Sequence, residues 1–433
     1  MKISKLHIDS FRHIENLEFD FTYPNNFHDE SKRGKPLDKI CFIGQSATGK
    51  TGLLELIYDK VNALKNTMFS EKQKVFTIFD FQIFNDSTFE FISNKSKIEL
   101  QNDGISINSL LYKNSNLNIE GPLFDDFEFS QTNLYYFKSG LISERNVEIF
   151  AKNPVELLEI YRDHLVPNLD EMFDNYQYET FNENVNPATW IKLLSEILDY
   201  RKKFNQKMSE LIHKGLLANQ NKLQIEFNLW QKENPNTLEL FAQKFNPILE
   251  KLNLEVDIVN TEYSIPIKNK KNDEVIPIQN TSTGTKGLLL SFLPLFKLDT
   301  KDSIILIDEP ERSLYPDMQT DLMEYYQNLA PEAQFIIATH SPFIAASFEP
   351  EERFILYFDE KGKVAVRRGN SPIGDDPNDM LKNDFGINYY NKYGEAAYKK
   401  YIQLKEKVAK EEDPTKKKKL LLETVKLGDT YNF

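Results

Sequence analysis

Gly44-Gln45-Ser46-Ala47-Thr48-Gly49-Lys50-Thr51 follows the pattern G-x-x-x-x-G-K-[ST]. The apolar run Ile40-Cys41-Phe42-Ile43 precedes it, and Leu53-Leu54-Glu55-Leu56-Ile57-Tyr58, with helical spacing, follows. Buried strand, glycine turn and helix, in that order, form a P-loop. Glycines let the backbone wrap an anion with its N–H groups turned inward. The start of the helix adds a favourable dipole. From this turn Lys50 can reach the β- and γ-phosphates of a nucleotide, and the Thr51 hydroxyl can ligate Mg²⁺.

Composition sets the frame around this turn. The chain has 433 residues, 40% of them hydrophobic, enough for one large domain with an insertion or for two or three domains. Its 32 Phe and 20 Tyr can fill a substantial core. Cys41 is the single cysteine, so no disulfide can form within the chain, which suits a reducing cytosol. Met1-Lys2-Ile3-Ser4-Lys5 leads into strand-like alternation and not into a signal peptide, and no run is long enough to span a bilayer. A cytoplasmic location without membrane attachment is expected. The net charge of -13 repels nucleic acid on average, so DNA binding would need a local basic patch. The candidates, Lys32-Arg33-Lys35, Arg201-Lys202-Lys203 with Lys207, and Lys268-Lys270-Lys271, are short enough to be ordinary solvated faces.

The pattern of the chain divides it into four parts. Residues 1–140 hold alternating strands around Ile3-Leu6-Ile8 and Leu17-Phe19-Phe21, a polar loop from Tyr23 to Pro36, and the P-loop. Then come strands at Val75–Phe79, Phe89–Ile92, Lys97–Leu100 and Asn133–Phe137, read as an antiparallel meander. Residues 141–252 read as a compact helical insertion, since Trp190, Leu193, Leu194, Ile197 and Leu198 recur at helical steps without a sustained heptad. Residues 253–368 return to strands, among them Leu254–Ile258, Tyr263–Ile267 and Val275–Ile278. Ser303–Ile307 and Gln334–Ala338 are continuous apolar runs of the kind expected for parallel strands buried on both faces. Phe354–Tyr357 and Val364–Val366 read as a hairpin. Residues 369–433 form a charged helical tail containing Lys416-Lys417-Lys418-Lys419.

Three further motifs carry chemistry. Ile304-Ile305-Leu306-Ile307-Asp308-Glu309-Pro310 places two acids at the end of a buried strand, facing the P-loop across the top of the sheet. Asp308 can hold Mg²⁺ through water, and Glu309 can act as general base on the attacking water. Ala338-Thr339-His340-Ser341-Pro342 follows the next buried strand, so His340 should also reach that edge and contact the γ-phosphate or the water. Asn280-Thr281-Ser282-Thr283-Gly284-Thr285-Lys286-Gly287 opens a helix, where a hydroxyl and free N–H groups again suit phosphate. Ser and Thr are also ordinary helix caps.

This order resembles the ABC-type ATPases: Walker A, a signature loop with Ser and Gly, Walker B with a following Glu, a D-loop and a switch His. Ser282 and Gly284 match the signature residues, with Thr283 between them. Ser313-Leu314-Tyr315-Pro316 is similar to the D-loop of the OLD/RecF/SMC-like branch, and Ser10-Phe11-Arg12 to its opening strand, where an arginine contacts nucleotide. Asp308-Glu309-Pro310-Glu311-Arg312-Ser313-Leu314-Tyr315-Pro316, with Ala338-Thr339-His340-Ser341-Pro342, is most similar to the OLD-like and Septu-type ATPases of bacterial anti-phage defence. The resemblance covers residues 1–140 and 253–368. The fold it implies is an α/β ABC-ATPase head with a mixed central sheet. Gln82 and Gln131 are candidates for the Q-loop glutamine, although the strand ending at Phe137 leads to Lys138-Ser139.

The resemblance implies ATP and Mg²⁺ bound in a head-to-tail homodimer, or a higher assembly built on it. Lys50, Thr51 and Asp308 of one subunit would hold nucleotide and metal under the signature loop of the other. ATP would close the heads and hydrolysis reopen them. The role it implies is a sensor or assembly core for a separate effector, a nuclease in another chain. A RecF/SMC-like DNA-repair ATPase and an ATP-binding scaffold with negligible hydrolysis are the alternatives. A membrane-transporter subunit fits poorly, because an insertion separates Lys50 from Gly284.

Overall fold

The runs Ile304–Asp308 and Gln334–Ala338, buried at every position, lie side by side at the centre of a parallel sheet. They belong to a computed structural model that describes residues 1–68, 85–92, 96–101, 104–113, 132–160, 178–387 and 392–431. The strands are β1 (Lys2–Phe11), β2 (Ile14–Asp20), β3 (Lys39–Gly44), β4 (Ser87–Ile92), β5 (Lys97–Gln101), β6 (Gly104–Ile107), β7 (Leu110–Lys113) and β8 (Leu134–Phe137). They continue with β9 (Tyr178–Phe181), β10 (Leu254–Val256), β11 (Ile267–Asn269), β12 (Val275–Ile276), β13 (Ile304–Asp308), β14 (Gln334–Ala338), β15 (Arg353–Phe358) and β16 (Val364–Arg368). Two compact units emerge, Met1–Gly374 and Asp375–Phe433.

In the first unit the seven-stranded sheet runs β16-β15-β3-β14-β13-β8-β9. All its pairings are parallel except β15 with β16. Parallel neighbours put their following loops on one edge, and that edge carries the loops after β3, β13 and β14. A second, antiparallel sheet runs β2-β1-β4-β5-β6-β7. The helix α1 (Lys50–Met68) buries Leu53, Leu54, Leu56, Ile57 and Val61 in the core shared by the two sheets. Aromatic contacts tie this core together: Phe19 meets Phe42 edge-on at 5.6 Å and Phe21 meets Phe354 at 5.0 Å. Such pairs contribute roughly 0.5–1.5 kcal/mol each beyond the area they bury.

Three expectations are corrected. The sequence pattern places Asn133–Phe137 in the antiparallel meander, but β8 joins the parallel sheet beside β13. Its four residues are all buried, so the strand needs cover on both faces, which the meander's edge cannot supply. Residues 141–252 are not wholly helical, because β9 extends the same sheet at its edge. Phe181 stacks on Phe137 at 4.8 Å and meets Trp190 at 5.8 Å, a tertiary anchor that a four-residue strand does not advertise in sequence. Tyr263–Ile267 contributes only Ile267 to the small sheet β10-β11-β12. Val75–Phe79, Gln82 and Gln131 lie outside the described residues.

Elsewhere the helical spacing holds. The helix Pro187–His213 starts from an Asn186 cap and buries Trp190, Leu193, Leu194, Ile197 and Leu198. The helix Gln220–Glu233 buries none of its residues. Thr283–Lys297 is an apolar helix capped by Ser282. The second unit holds the helices Pro377–Asn383, Lys392–Lys410 and Pro414–Tyr431, the last two linked by a Lys400–Glu423 pair at 3.5 Å. Among the described residues no helix is long and apolar enough to cross a membrane.

Candidate nucleotide site

β3 ends on Gly44 at φ +140°, a conformation open to glycine alone. A Cβ there would stand 2.0 Å from the Leu356 carbonyl oxygen of β15. The turn continues through Ala47 at φ +65° and Gly49 at φ +94°. Positive-φ residues alternating with ordinary ones are the backbone feature from which anion-binding loops are built. Thr48 is buried and its hydroxyl donates to the Gln45 carbonyl at 2.8 Å, pinning the turn. Lys50 Nζ folds back on the loop and donates to the Gly44 and Gln45 carbonyls, both at 3.0 Å. Burial pulls the Lys50 pKa below its usual value, and Asp308, Glu309 and Glu311 oppose that pull.

The acids meet the P-loop from the far side of β14. Thr51 Oγ1 stands 3.1 Å from each carboxylate oxygen of Asp308. Burial raises the Asp308 pKa to about 6, with Thr51 opposing and Glu309, Glu311 and Glu55 adding to the rise. Glu309 leaves the strand at φ +52°, and its N–H donates to the Ala338 carbonyl at 2.9 Å. The loop after β14 emerges between the P-loop and these acids. There the His340 N–H donates to Glu311 Oε1 at 2.8 Å. Partial burial, then the Lys50 ammonium, lower the His340 pKa below the usual histidine value, with Glu309 opposing.

The residues present fit a magnesium–nucleotide pair. Gly44 lets β3 turn off the sheet against the β15 backbone, where no Cβ would fit, and beside that turn a buried carboxylate faces the Thr51 hydroxyl. Among the described residues no group of three or more His, Cys, Asp or Glu side chains would hold a metal unaided. Mg²⁺ held by Thr51 and Asp308 would therefore complete its shell with phosphate oxygens and water.

The signature residues stand apart from this cluster. Ser282 caps its helix, accepting from the Thr285 N–H at 3.1 Å, and Ser282 and Thr283 are exposed. Gly284 packs beneath the Ser313 carbonyl, which a Cβ would approach to 2.6 Å. Among the described residues none of the three hydrogen-bonds residues 44–51. Arg12, at φ +55°, pairs with Glu55 of α1 at 2.8 Å and lies over the Phe11 ring.

Three neighbours carry no assigned role in the sequence reading. His13 Nε2 would be 3.3 Å from a Cβ on Gly49. Glu55 sits between Arg12 and Lys138, the latter at 3.8 Å. Glu311 holds the His340 backbone. The spacing Thr51, Glu55, one helical turn apart, was the available signal for Glu55. The basic patches are largely paired with acids: Lys32 with Asp38, Arg33 with Glu30, Lys203 with Asp199, Lys207 with Glu210, Lys268 with Glu255 and Asp273, and Lys270 with Glu250.

Known proteins resemble this chain at several levels. A Vibrio cholerae serotype O1 biovar El Tor protein described as retron Vc95 probable ATPase is 22% identical over 378 residues, covering 78% of this chain and 73% of its own. The Septu protein PtuA of Bacillus thuringiensis is 33% identical over 72 residues, 17% of this chain and 18% of its own, in line with the expected resemblance. Solved structures include the SMC head domain from Thermotoga maritima, with a TM-score of 0.39 and 12% identity, covering 86% of this chain and all of that one. An Smc head domain from Pyrococcus furiosus has a TM-score of 0.40 and 16% identity, covering 85% and 96%. The family model described as AAA ATPase domain matches residues 1–345, the stretch that holds the P-loop, Asp308, Glu309 and His340, and the chain belongs to that family.

Proposed function

We propose that the chain binds and hydrolyses ATP with Mg²⁺ and that nucleotide switches a homodimer of it between two states. The observation that carries this reading is the meeting of Lys50, Thr51 and Asp308 at one sheet edge, with Glu309 and His340 on the adjoining loops. The P-loop N–H groups and Lys50 bind the phosphates, while Thr51 and Asp308 hold the metal. A metal held there would neutralise charge on the phosphate oxygens. Glu309 takes a proton from the attacking water, and His340, whose pKa burial and Lys50 lower, orients that water or the γ-phosphate. Arg12 adds a cation beside the nucleotide.

Ser282, Thr283 and Gly284 make no hydrogen bond to the P-loop of their own chain, which favours a second copy's P-loop as their target. Head-to-tail pairing supplies that contact twice. The retron and Septu relatives favour a role in anti-phage defence with a separate effector protein, for which residues 141–252 and the Lys416–Lys419 helix are the candidate contact surfaces. The pairing of the basic patches favours this role over direct DNA repair.

The test is Glu309→Gln, sized by light scattering with and without ATP. The variant should dimerise with ATP and stay dimeric, whereas wild type returns to its starting state as ATP is consumed. An association state indifferent to ATP would remove the switch.

A further inference from the structure

Three successive residues after β13 each reach a different loop. Glu311 Oε1 accepts the His340 N–H at 2.8 Å. Arg312 donates to the Ser139 carbonyl in the loop after β8. The Ser313 carbonyl lies on Gly284, at the start of the helix Thr283–Lys297. The segment is bounded by Glu309 at φ +52° and Ser313 at φ +62°, a region costly for residues other than glycine. Such a conformation persists because surrounding contacts impose it.

The His340 contact differs from those around it. The Thr339 N–H donates to the Phe42 carbonyl of β3 at 3.1 Å, and the Ser341 N–H to Thr339 Oγ1 at 2.9 Å. Ser341 in turn caps the short helix that follows, accepting from the Phe343 and Ile344 N–H groups. These bonds stay within the loop and its own strand neighbours. The His340 peptide alone of the three is held by a side chain from the acidic loop, 29 residues away in sequence. The other Glu311 oxygen, Oε2, is enclosed with no hydrogen-bond partner. Burial desolvates this carboxylate, and the His340 N–H offsets that cost first, with the Thr339 hydroxyl and the Glu311 N–H adding smaller contributions.

We propose that Glu311 is a positioning residue for hydrolysis: its carboxylate clamps the His340 peptide and so sets the imidazole against the phosphate end of the P-loop. This rests on the ATPase reading above. Through the same segment the clamp joins the general base, the histidine loop and the helix of Gly284 into one unit, so that displacing any of them disturbs the others.

The test compares Glu311→Ala, Glu311→Gln and Glu311→Asp by hydrogen exchange over residues 339–341 and by steady-state ATP turnover. Glu311→Ala should speed exchange at His340 roughly 10- to 100-fold, the loss expected for a hydrogen bond to a charged group. It should lower kcat about tenfold or more while KM for ATP stays within about twofold. Glu311→Gln, which keeps an acceptor oxygen in place, should recover both; Glu311→Asp, one methylene shorter, should not. In a His340→Ala background Glu311→Ala should cost nothing further. Unchanged exchange at His340, or an undiminished kcat loss in that background, overturns the proposal. A wild type that binds ATP without turning it over would fail the ATPase reading, and the exchange data would still decide whether Glu311 clamps the loop. Should Glu311→Ala not fold, the Gln and Asp pair carries the same comparison.

Discussion

Two glycines one turn apart on the helix Thr283–Lys297 allow a controlled displacement of the site. A Cβ on Gly287 would meet Ile142 Cδ1 at 2.8 Å and Cγ1 at 3.4 Å, the far end of a side chain that can rotate away. Alanine in a helix gains up to about 1 kcal/mol over glycine. Gly287→Ala should therefore leave stability within about 1 kcal/mol of wild type and keep turnover. A Cβ on Gly284 would meet the Ser313 carbonyl oxygen at 2.6 Å, Leu314 Cδ2 at 2.9 Å and the Ser313 carbonyl carbon at 3.3 Å. These are mostly backbone atoms of a residue already at φ +62°, so no side-chain rotation relieves the clash. The carbonyl must retreat by roughly half an ångström or more, at the 1–3 kcal/mol typical of overpacking.

The helix gain is smaller at Gly284, the second residue of the helix, so Gly284→Ala should be net destabilising by about 1–2 kcal/mol. Thermal unfolding should show a fall of a few degrees, at most about 4 °C per kcal/mol for a unit of this size. Because Ser313 lies two residues from Glu311, the same retreat should pull on the His340 clamp and cut ATP turnover about tenfold or more, with ATP binding retained. Equal behaviour of the two variants in melting and turnover, or a Gly284→Ala enzyme as fast as wild type, would refute this reasoning.

Other outcomes follow from the same geometry. Lys50→Ala should reduce ATP affinity by about 100-fold or more, measured by titration with a fluorescent nucleotide, because it removes the one buried ammonium of the cradle. Arg12→Ala should change stability by less than about 1 kcal/mol, since its pair with Glu55 is largely exposed; a weakened ATP affinity in this variant would then report nucleotide contact, and an unchanged one would remove Arg12 from the site. Burial raises the Glu179 pKa to about 7, with Lys192 opposing. The folded state thus holds that proton to higher pH than the unfolded state, and the penalty grows as pH rises from about 4.5 to 7. Glu179→Gln should match wild type near pH 4.5 and gain up to about 2 kcal/mol above pH 7, less whatever Lys192 loses with the carboxylate. A difference independent of pH, in urea unfolding across that range, would contradict this.

The motifs legible in the sequence were those where chemistry abuts a continuous apolar run. Ile304–Ile307 could only be a strand covered on both faces, so the acids after it had to lie on a sheet edge. The same held for Gln334–Ala338 and His340. What escaped depends on contacts distant in the chain. Leu134-Tyr135-Tyr136-Phe137 fits an antiparallel edge or a parallel interior equally well by pattern, and only its pairing with β13 decides. β9 is identified by Phe181 stacking on Phe137, 44 positions earlier in the numbering. Glu311 reads as one more charge in an acidic turn until the loop after β14 is laid against it. Its role is a property of two loops together, and neither sequence alone contains it.

The assembly of the site comes down to register. Ala338 of β14 stands opposite Asp308 of β13 on one side and Phe42 of β3 on the other. Two residues beyond that level on each strand lie Pro310, Gly44 and His340, so the three loops leave the sheet at the same height. A slip of one residue would send Asp308 to the opposite face, away from Thr51. The lower end of β14 carries a device against that slip. Gln334, fully buried, accepts from the Ile3 N–H at 2.8 Å and donates to the Ile3 and Leu37 carbonyls, both at 2.9 Å. It thereby fastens β14 to β1 of the antiparallel sheet and to the entry of β3 at once. A shifted β14 would strand all of these polar groups without water, which costs far more than the apolar contacts of a sheet that tolerates many registers could recover. The geometry at the phosphate end is therefore held from the opposite end of the strand, by an uncharged side chain that takes no part in the chemistry.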